Sequence, residues 1–189
     1  MKKILIVNGS KRKKGNSYAL ERYMADKLAG KAEVVEFNVG EKDVRACLAC
    51  DTCKKKDAPF CIQKDDFTEL IPTIDKCDAM VIIGPVHYGR FPAQLCAFVD
   101  RTYAFLNFKL PGYSSASRKD KKLAGYLCCG VGPADVYLKV LDADLRNFAA
   151  SGFTDYKSFV AGGVGVPGSV MDNADYVKAA DEIVDWLLA

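Results

Sequence analysis

The sequence predicts a doubly wound α/β fold, with a five-stranded parallel sheet and helices on both of its faces. Five short apolar runs rich in β-forming residues alternate along the chain with segments of helical periodicity. These runs are almost continuously apolar, as strands buried on both faces of a parallel sheet must be. Each strand-helix-strand unit then requires a right-handed crossover, which produces the doubly wound arrangement.

The apolar runs locate the predicted strands, and the segments between them locate the helices. The strands are expected at Lys3–Asn8, Glu33–Asn38, Ala79–Gly84, Leu123–Gly130 and Ser158–Gly163. Apolar stripes with helical spacing run over Leu20–Leu28, Leu95–Leu106 and Val177–Leu187. A further helix is expected within Asp66–Cys77, where Asp66 and Glu69 form an amino-terminal signature. Because Pro72 lies inside this segment, we expect a kink or a late start there.

Composition predicts a single compact domain over residues 1–189, with a cysteine-rich insertion at about residues 40–65. The net charge of +3 gives a weak field, which argues against nucleic acid as a partner. No apolar run approaches the roughly 18 residues needed to cross a bilayer, so no membrane association is expected. The amino-terminal segment lacks the features of a secretory signal, and we therefore expect a cytoplasmic protein.

The loop between the first strand and the first helix has the character of an anion site. A helix amino terminus offers unpaired N–H groups, and Ser10, Asn16 and Ser17 add short polar side chains. The loop lacks the three glycines of a dinucleotide fingerprint and the Gly-Lys-Ser/Thr ending of a P-loop. A single phosphate monoester therefore fits better than a pyrophosphate. The alternative is an ordinary basic loop in which Asn16 or Ser17 caps the helix.

The same loop, Gly9-Ser10-x-Arg12-x-x-Gly15-Asn16-Ser17, resembles the FMN-phosphate loop of the NADPH-dependent FMN reductase family, a flavodoxin-like group. A second match follows the third strand, over Gly84–Leu95, and continues to Asp100 and Arg101. Here His87 and Tyr88 replace the Tyr and the Phe or Trp that are usual in the family. The loops 130–132 and 167–170 also fall in register, so the resemblance covers essentially the whole chain.

This resemblance implies an FMN-binding protein that receives electrons from NAD(P)H. The cofactor-binding residues that it implies are Ser10, Arg12, Asn16 and Ser17 at the phosphate, Pro85, Val86, His87, Tyr88 and Gly89 beside the isoalloxazine ring, and Gly130 and Gly132 where backbone approaches the ring. His87 is the only histidine, and it is the candidate for proton transfer because imidazole titrates near neutral pH. The alternative for His87 is a loop residue with a satisfied hydrogen bond.

Four of the eight cysteines lie within fifteen residues of the connection after the second strand: Cys47, Cys50, Cys53 and Cys61. Two-residue spacings let consecutive thiolates converge on one iron-sulfur cluster, whereas zinc sites more often present two separated pairs. The spacing leaves a cluster, a zinc ion and unmetallated reduced thiols open. The arrangement resembles the iron-sulfur flavoprotein branch of the family. That resemblance implies a [4Fe-4S] cluster on these cysteines, in a homo-oligomer (a dimer or a tetramer) whose cysteine loop approaches a neighbour's FMN.

The predicted function is FMN-dependent oxidoreduction of the iron-sulfur flavoprotein type. Electrons would pass from NAD(P)H or a reduced carrier to a quinone, a flavin or another small acceptor. One alternative is an electron-carrier flavoprotein without turnover of its own, which exchanges electrons with ferredoxin-like partners. Another is a metal-free NAD(P)H:FMN reductase. No segment of the sequence specifies NADPH over NADH.

Overall fold

A computed structural model describes the chain over residues 1–189. It contains five strands and five α-helices that alternate along most of the chain. The strands are β1 (Lys2–Asn8), β2 (Ala32–Asn38), β3 (Ala79–Pro85), β4 (Lys121–Cys128) and β5 (Phe153–Ala161). The helices are α1 (Asn16–Leu28), α2 (Asp66–Lys76), α3 (Ala93–Arg101), α4 (Ala134–Arg146) and α5 (Ala174–Leu188).

All five strands are parallel, and their order across the sheet is β2-β1-β3-β4-β5. This order confirms the predicted flavodoxin-like fold. The direction of winding reverses between β1 and β3, so the loops that leave the carboxyl ends of these two strands diverge to opposite faces. Doubly wound folds bind ligands in the crevice that this divergence opens.

The core is divided into two layers by the sheet. In β1, Leu5 and Val7 point to one face and Ile4 and Ile6 to the other, and all four are fully buried. Helices α2, α3 and α4 cover the first face, while α1 and α5 cover the second. The apolar character of the inner strands follows from this burial on both sides.

Helix α2 begins at Asp66, the first residue of the predicted segment, and contains Pro72 without interruption. Its N-cap is Asp65, whose carboxylate accepts a hydrogen bond from the Thr68 N–H at 3.1 Å. Of the two effects expected of Pro72, a kink or a late start, the late start is therefore not observed. The missing N–H of Pro72 costs this helix one internal hydrogen bond, and the burial of its apolar stripe, from Phe67 to Ile74, outweighs that loss.

Strand β5 begins five residues before its predicted start at Ser158. It is an edge strand, so several residues of its first half, such as Thr154 and Asp155, face solvent. Their polar side chains concealed the strand from an apolar pattern. Helix α3 is also shorter than its stripe predicted, because the chain tightens into a 3₁₀ turn over Thr102–Phe105.

Gly125 allows α4 to pack close to the sheet. A Cβ atom at this position of β4 would lie 2.7 Å from Leu141 Cδ1 and 2.9 Å from Leu145 Cδ1. Because both leucines are buried on α4, a larger residue at 125 would push the helix away from the strand.

The connection from β2 to α2 covers residues 39–65 and contains one 3₁₀ turn, Thr52–Lys55. It lies on the same side of the molecule as α2 and α3. None of the helices combines the length and apolar character that crossing a bilayer demands.

Candidate active site

A cavity of about 620 Å³ opens at the carboxyl edge of the sheet, where the loops after β1, β3, β4 and β5 meet. We call it the edge cavity. Most of the residues implied as cofactor-binding line it: Ser10, Arg12, Asn16, Ser17, Pro85, Val86, His87 and Gly130. Its size is in the range of small-molecule and cofactor sites.

The amino terminus of α1 forms one end of the edge cavity. The backbone N–H groups of Asn16 and Ser17 have no acceptor, and the N-cap Gly15 provides no side-chain cap. Free amides at a helix start carry partial positive charge and favour an anion. The exposed side chains of Lys11 and Arg12 line the same end and add full positive charges.

The side chain of Asn16 serves the structure and leaves only the backbone N–H of this residue for a ligand. Its Nδ2 donates to the carbonyl oxygens of Val164 at 2.7 Å and Val166 at 3.0 Å. Its Oδ1 accepts from the Val170 N–H at 3.1 Å. Asn16 therefore fastens the loop after β5 to the start of α1, a role that sequence reasoning missed.

A buried polar pair supports the loop after β1 from below. Asn8 Nδ2 donates to Glu21 Oε2 at 2.5 Å, while Asn8 Oδ1 accepts from the Ser10 N–H at 2.8 Å. Burial raises the pKa of Glu21. Because the side chains of Asn8 and Glu21 are almost inaccessible to solvent, they fix the direction in which the chain leaves the strand.

The loop after β3 turns sharply over His87–Arg90, whose backbones exchange hydrogen bonds of 2.9 and 3.2 Å. The two central residues, Tyr88 and Gly89, both have positive φ, as a two-residue type I′ turn requires. Tyr88 therefore projects fully into solvent, and neither it nor Gly89 lines the edge cavity. His87 does line it, with an exposed imidazole that makes no hydrogen bond.

The loop after β4 contributes Gly130 to the edge cavity but not Gly132, whose position is beside the Tyr137 ring. Cys128, at the end of β4, is buried and also lines the cavity. Burial raises the pKa of Cys128 to about 12, although a hydrogen bond with Ser17 opposes this. The thiol is therefore neutral at physiological pH.

Several residues of the edge cavity were not among the implied cofactor-binding residues. They are Val164, Gly165 and Pro167 after β5, and Ala93 and Gln94 at the start of α3. Gly165 and Gly130 face each other across the cavity wall, since a Cβ on Gly130 would lie 3.6 Å from the Gly165 Cα. The match of the loop 167–170 was the one sequence signal that pointed to this wall.

The four cysteines of the connection line a second, small cavity of about 20 Å³, which we call the cysteine cavity. All four are free thiols: Cys47 and Cys50 are exposed, and Cys53 and Cys61 are half-buried. Hydrogen bonds with Thr52 lower the pKa of Cys50, and burial raises that of Cys53. The thiols share one cavity, but no three metal-binding side chains converge on a single-ion position.

The backbone of the cysteine connection is held in a strained form. Ala49 and Asp51 adopt left-handed φ values of 49° and 52°, which non-glycine residues rarely do. Three hydrogen bonds tie the connection to the segment after α3. Lys54 Nζ donates to the carbonyl oxygens of Tyr103 and Leu106, and Asn107 Nδ2 donates to that of Lys56 at 2.9 Å. The strain is thus maintained by tertiary contacts.

The two cavities lie at opposite ends of α3. Ala93 and Gln94 at its start line the edge cavity, and Arg101 at its end lines the cysteine cavity. At about 1.5 Å per residue, these ends are about 12 Å apart along the axis. The cavities share no lining residue, so a group in one does not touch a group in the other within this chain.

A third cavity, of about 710 Å³, lies near the amino ends of β4 and β5. It is lined by residues such as Tyr103, Tyr113 and Arg146. It is remote from the switch point of the sheet, where ligands bind in this class of fold. Size alone therefore does not identify the active site, and the edge cavity is the candidate.

Comparison with protein-family models matches residues 2–161 to the description "NADPH-dependent FMN reductase". The chain belongs to the NADPH-dependent FMN reductase family. Its membership agrees with the phosphate-loop motif and the fold.

Two known proteins with similar sequences are named iron-sulfur flavoproteins. One, from Methanocaldococcus jannaschii, is 38% identical over 106 residues, which are 55% of this chain and 52% of that protein. The other, from Archaeoglobus fulgidus, is 34% identical over 94 residues, 49% of this chain and 42% of that protein. The chain thus spans about half the length of the curated relatives it matches.

Two solved structures show how widely this FMN reductase fold is shared. An FMN-dependent NADH-azoreductase from Bacillus anthracis, in complex with FMN, has a TM-score of 0.72 at 17% identity, with full coverage of both chains. An NAD(P)H:quinone oxidoreductase from Methanothermobacter marburgensis has a TM-score of 0.73 at 15% identity, covering 96% of this chain and 94% of that one. At such identities the likeness concerns the fold.

Proposed function

We propose that this member of the FMN reductase family is an FMN-dependent NAD(P)H oxidoreductase of the iron-sulfur flavoprotein type. The observation that carries the proposal is the edge cavity, where the free Asn16 and Ser17 amides face a pocket formed by four strand-end loops. A phosphate monoester at one end and a flat ring system along the other loops match these features.

The edge cavity fits FMN in charge and shape. The amides of Asn16 and Ser17 would hold the phosphate, and Lys11 and Arg12 would neutralise its charge. Backbone of the loops after β3, β4 and β5 would flank the ring, where Gly130 and Gly165 leave room for close approach. When bound, FMN supplies a carrier that accepts a hydride and returns electrons singly or in pairs.

His87 is the candidate proton donor at this site. Its imidazole lines the edge cavity, faces solvent and makes no hydrogen bond. Cys128 lines the cavity as a neutral thiol, so it would not place a negative charge beside a reduced ring. A replacement of His87 by Gln that lowers turnover without weakening FMN binding would support the assignment.

The spacing of the four cysteines favours an iron-sulfur cluster over a zinc ion. In a [4Fe-4S] cluster each cysteine ligates a different iron, so the four sulfurs surround a larger group than one ion. The four thiols share a cavity without converging on a single-ion position. A cluster held by Cys47, Cys50, Cys53 and Cys61 would supply one-electron transfer.

The separation of the cavities favours a homo-oligomer in which the cysteine cavity of one subunit lies beside the edge cavity of another. Electrons would then pass from NAD(P)H to the flavin site and onward to a quinone, flavin or other small acceptor, or to a ferredoxin-like partner. Determination of the mass in solution, with and without FMN, tests the assembly. A monomer with full electron transfer would contradict this part of the proposal.

The decisive experiment is anaerobic purification followed by an absorption spectrum, iron and acid-labile sulfide analysis, and an NAD(P)H oxidation assay. We expect flavin bands, about four irons per chain and steady NAD(P)H oxidation. Cys53→Ala and Cys61→Ala should lose iron, and Cys96→Ala, which alters a cysteine outside the cavity, should keep it. A protein without flavin would overturn the proposal.

A metal-free reductase is the second candidate, because all four cysteines are free thiols and two of them, Cys47 and Cys50, are exposed. Flavin and NAD(P)H oxidation without iron after reconstitution would select it. Rapid reduction by a ferredoxin without NAD(P)H oxidation would instead select the electron carrier.

A further inference from the structure

We propose that Arg101 is a positioning residue for the iron-sulfur centre. Arg101 closes the cysteine connection and, through its hydrogen bond to Cys61, raises the reduction potential of the centre that the four cysteines hold. The inference depends on the proposed function, since it assigns a role toward the same four cysteines. Nothing in the phosphate-loop or cysteine motifs indicates it, because Arg101 is 40 residues from Cys61.

The guanidinium of Arg101 is buried at the end of α3, with its side chain 1% exposed. Its charge is balanced by Asp65, whose side chain is 0% exposed. Arg101 Nη1 lies 2.5 Å from Asp65 Oδ2, and Nη2 lies 3.0 Å from Oδ1. A bidentate pair of this kind fixes both the position and the plane of the guanidinium.

The same guanidinium joins both ends of the cysteine connection. Nη1 also donates to the carbonyl oxygen of Arg45 at 2.9 Å, and Asp65 Oδ2 accepts from the Arg45 N–H at 3.2 Å. Residues 45 and 65 flank the four cysteines on either side. Arg101 and Asp65 therefore close the loop that carries the thiols, through hydrogen bonds in which no sulfur atom takes part.

A further N–H of Arg101 is directed at sulfur. Nη2 lies 3.2 Å from Cys61 Sγ and 3.0 Å from Thr68 Oγ1. The guanidinium carbon also lies 4.8 Å from the centre of the Phe67 ring, which holds its plane by a cation–π contact. The residue thus places a fixed positive charge and a hydrogen-bond donor on one predicted ligand and not on the other three.

A cation that donates to a ligand sulfur stabilises the more negative state of an iron-sulfur centre. Hydrogen bonds to the sulfurs and net charge are two of the factors that set these potentials. Reduction adds a negative charge, so Arg101 favours the reduced form and raises the potential. Lysine would keep the charge but lacks the planar fork that serves Asp65, Arg45 and Cys61 together.

Two variants test the inference in the full chain after anaerobic reconstitution with iron and sulfide. Arg101→Gln combined with Asp65→Asn removes the guanidinium that donates to Cys61 together with its partner carboxylate, so neither variant side chain is left as an uncompensated buried charge. Arg101→Lys keeps the charge and loses the fork. Arg146→Gln removes an exposed cation outside the cysteine cavity and is the control. The readouts are iron content, iron loss to a chelator, and the reduction potential of the centre by spectroscopic titration.

We expect the double variant to have a more negative reduction potential. At a fixed applied potential, the ratio of reduced to oxidised centre should fall at least tenfold, which corresponds to about 59 mV for a one-electron couple. Arg101→Lys should lose iron to the chelator several-fold faster than the unaltered protein, and Arg146→Gln should match the unaltered protein in both measurements.

An unchanged potential in a fully loaded double variant would overturn the inference and leave the proposed function intact. If the double variant does not fold, Arg101→Lys decides: unaltered potential together with unaltered iron loss would overturn it. Failure of the unaltered protein to take up iron would instead overturn the cluster assignment itself. The two failures are therefore distinguishable.

Discussion

Asn16 Nδ2 lies 2.7 Å from the carbonyl oxygen of Val164, a contact that joins residues 148 positions apart. It fastens one wall of the edge cavity to the helix start that forms its anion end. In the proposed site, Asn16 would therefore act on the phosphate directly through its N–H and indirectly through this wall.

Replacement of Asn16 by Ala should therefore weaken FMN binding although the backbone N–H remains. Three hydrogen bonds are lost, which we expect to cost about 1–3 kcal/mol of stability and about tenfold in FMN affinity. Flavin fluorescence titration and thermal unfolding of the apo-protein measure the two effects. Asn147→Ala, which removes one long bond of 3.4 Å to Ala143, is the control. Unaltered affinity in Asn16→Ala would contradict the role of the wall.

Replacement of Arg12 by Gln should weaken FMN binding and leave riboflavin binding unchanged. The reason is that Arg12 lies at the anion end of the edge cavity, where only the phosphate of FMN would meet it. We expect a loss of about tenfold for FMN, the size of one charge-assisted hydrogen bond. Titration of both flavins gives the comparison, and Lys139→Gln on the exposed surface of α4 is the matched control. An equal loss for both flavins would place the phosphate elsewhere.

The Asp65–Arg101 pair should make the protein sensitive to acid. Burial alone would raise the pKa of Asp65, but hydrogen bonds from Arg101, Arg45 and Thr68 outweigh it and lower the pKa to about 2. Because the folded pKa is below the ordinary value of 3.8, the stabilisation is complete above that value and disappears as the pH falls toward 2. The shift corresponds to about 2 kcal/mol.

Denaturant unfolding between pH 5 and pH 2 tests this expectation. Asp65→Asn should be less stable at neutral pH, since it leaves the Arg101 charge buried and unpaired, and its stability should fall less over this interval. Asp155→Asn, an exposed position, should behave like the unaltered protein. If Asp65→Asn and the unaltered protein lose the same free energy of unfolding, Asp65 does not titrate as described.

Replacement of Gly125 by Ala should destabilise the protein by about 1–3 kcal/mol, because the new Cβ would overlap the buried side chains of Leu141 and Leu145. Thermal unfolding measures the loss. Gly162→Ala is the control, since its Cβ would meet neighbours only at an ordinary contact distance of 3.6 Å. Equal stability of the two variants would show that α4 can move away at no cost.

The sequence by itself determined the alternation of five strands with helices, the position of the anion loop and the grouping of four cysteines. Apolar runs report burial directly, and a helix start after a strand presents free amides whatever the rest of the chain does. Ser17 was expected at the anion loop on this ground, whereas Val86 and Gly130 were implied by the family resemblance; all three line the edge cavity. Where polar residues occupy an exposed edge, as at the start of β5, the same pattern failed.

Only the tertiary structure decided what Asn16, Tyr88 and Arg101 do. The Asn16 side chain bonds to a loop 148 residues away, Tyr88 is turned outward by the left-handed backbone of its turn, and Arg101 closes a loop that lies 36 to 56 residues before it. Hydrogen bonds and buried charges depend on which groups meet in space. Local sequence patterns predict burial and backbone conformation, but they do not predict which residues far apart in the sequence form hydrogen bonds or ion pairs.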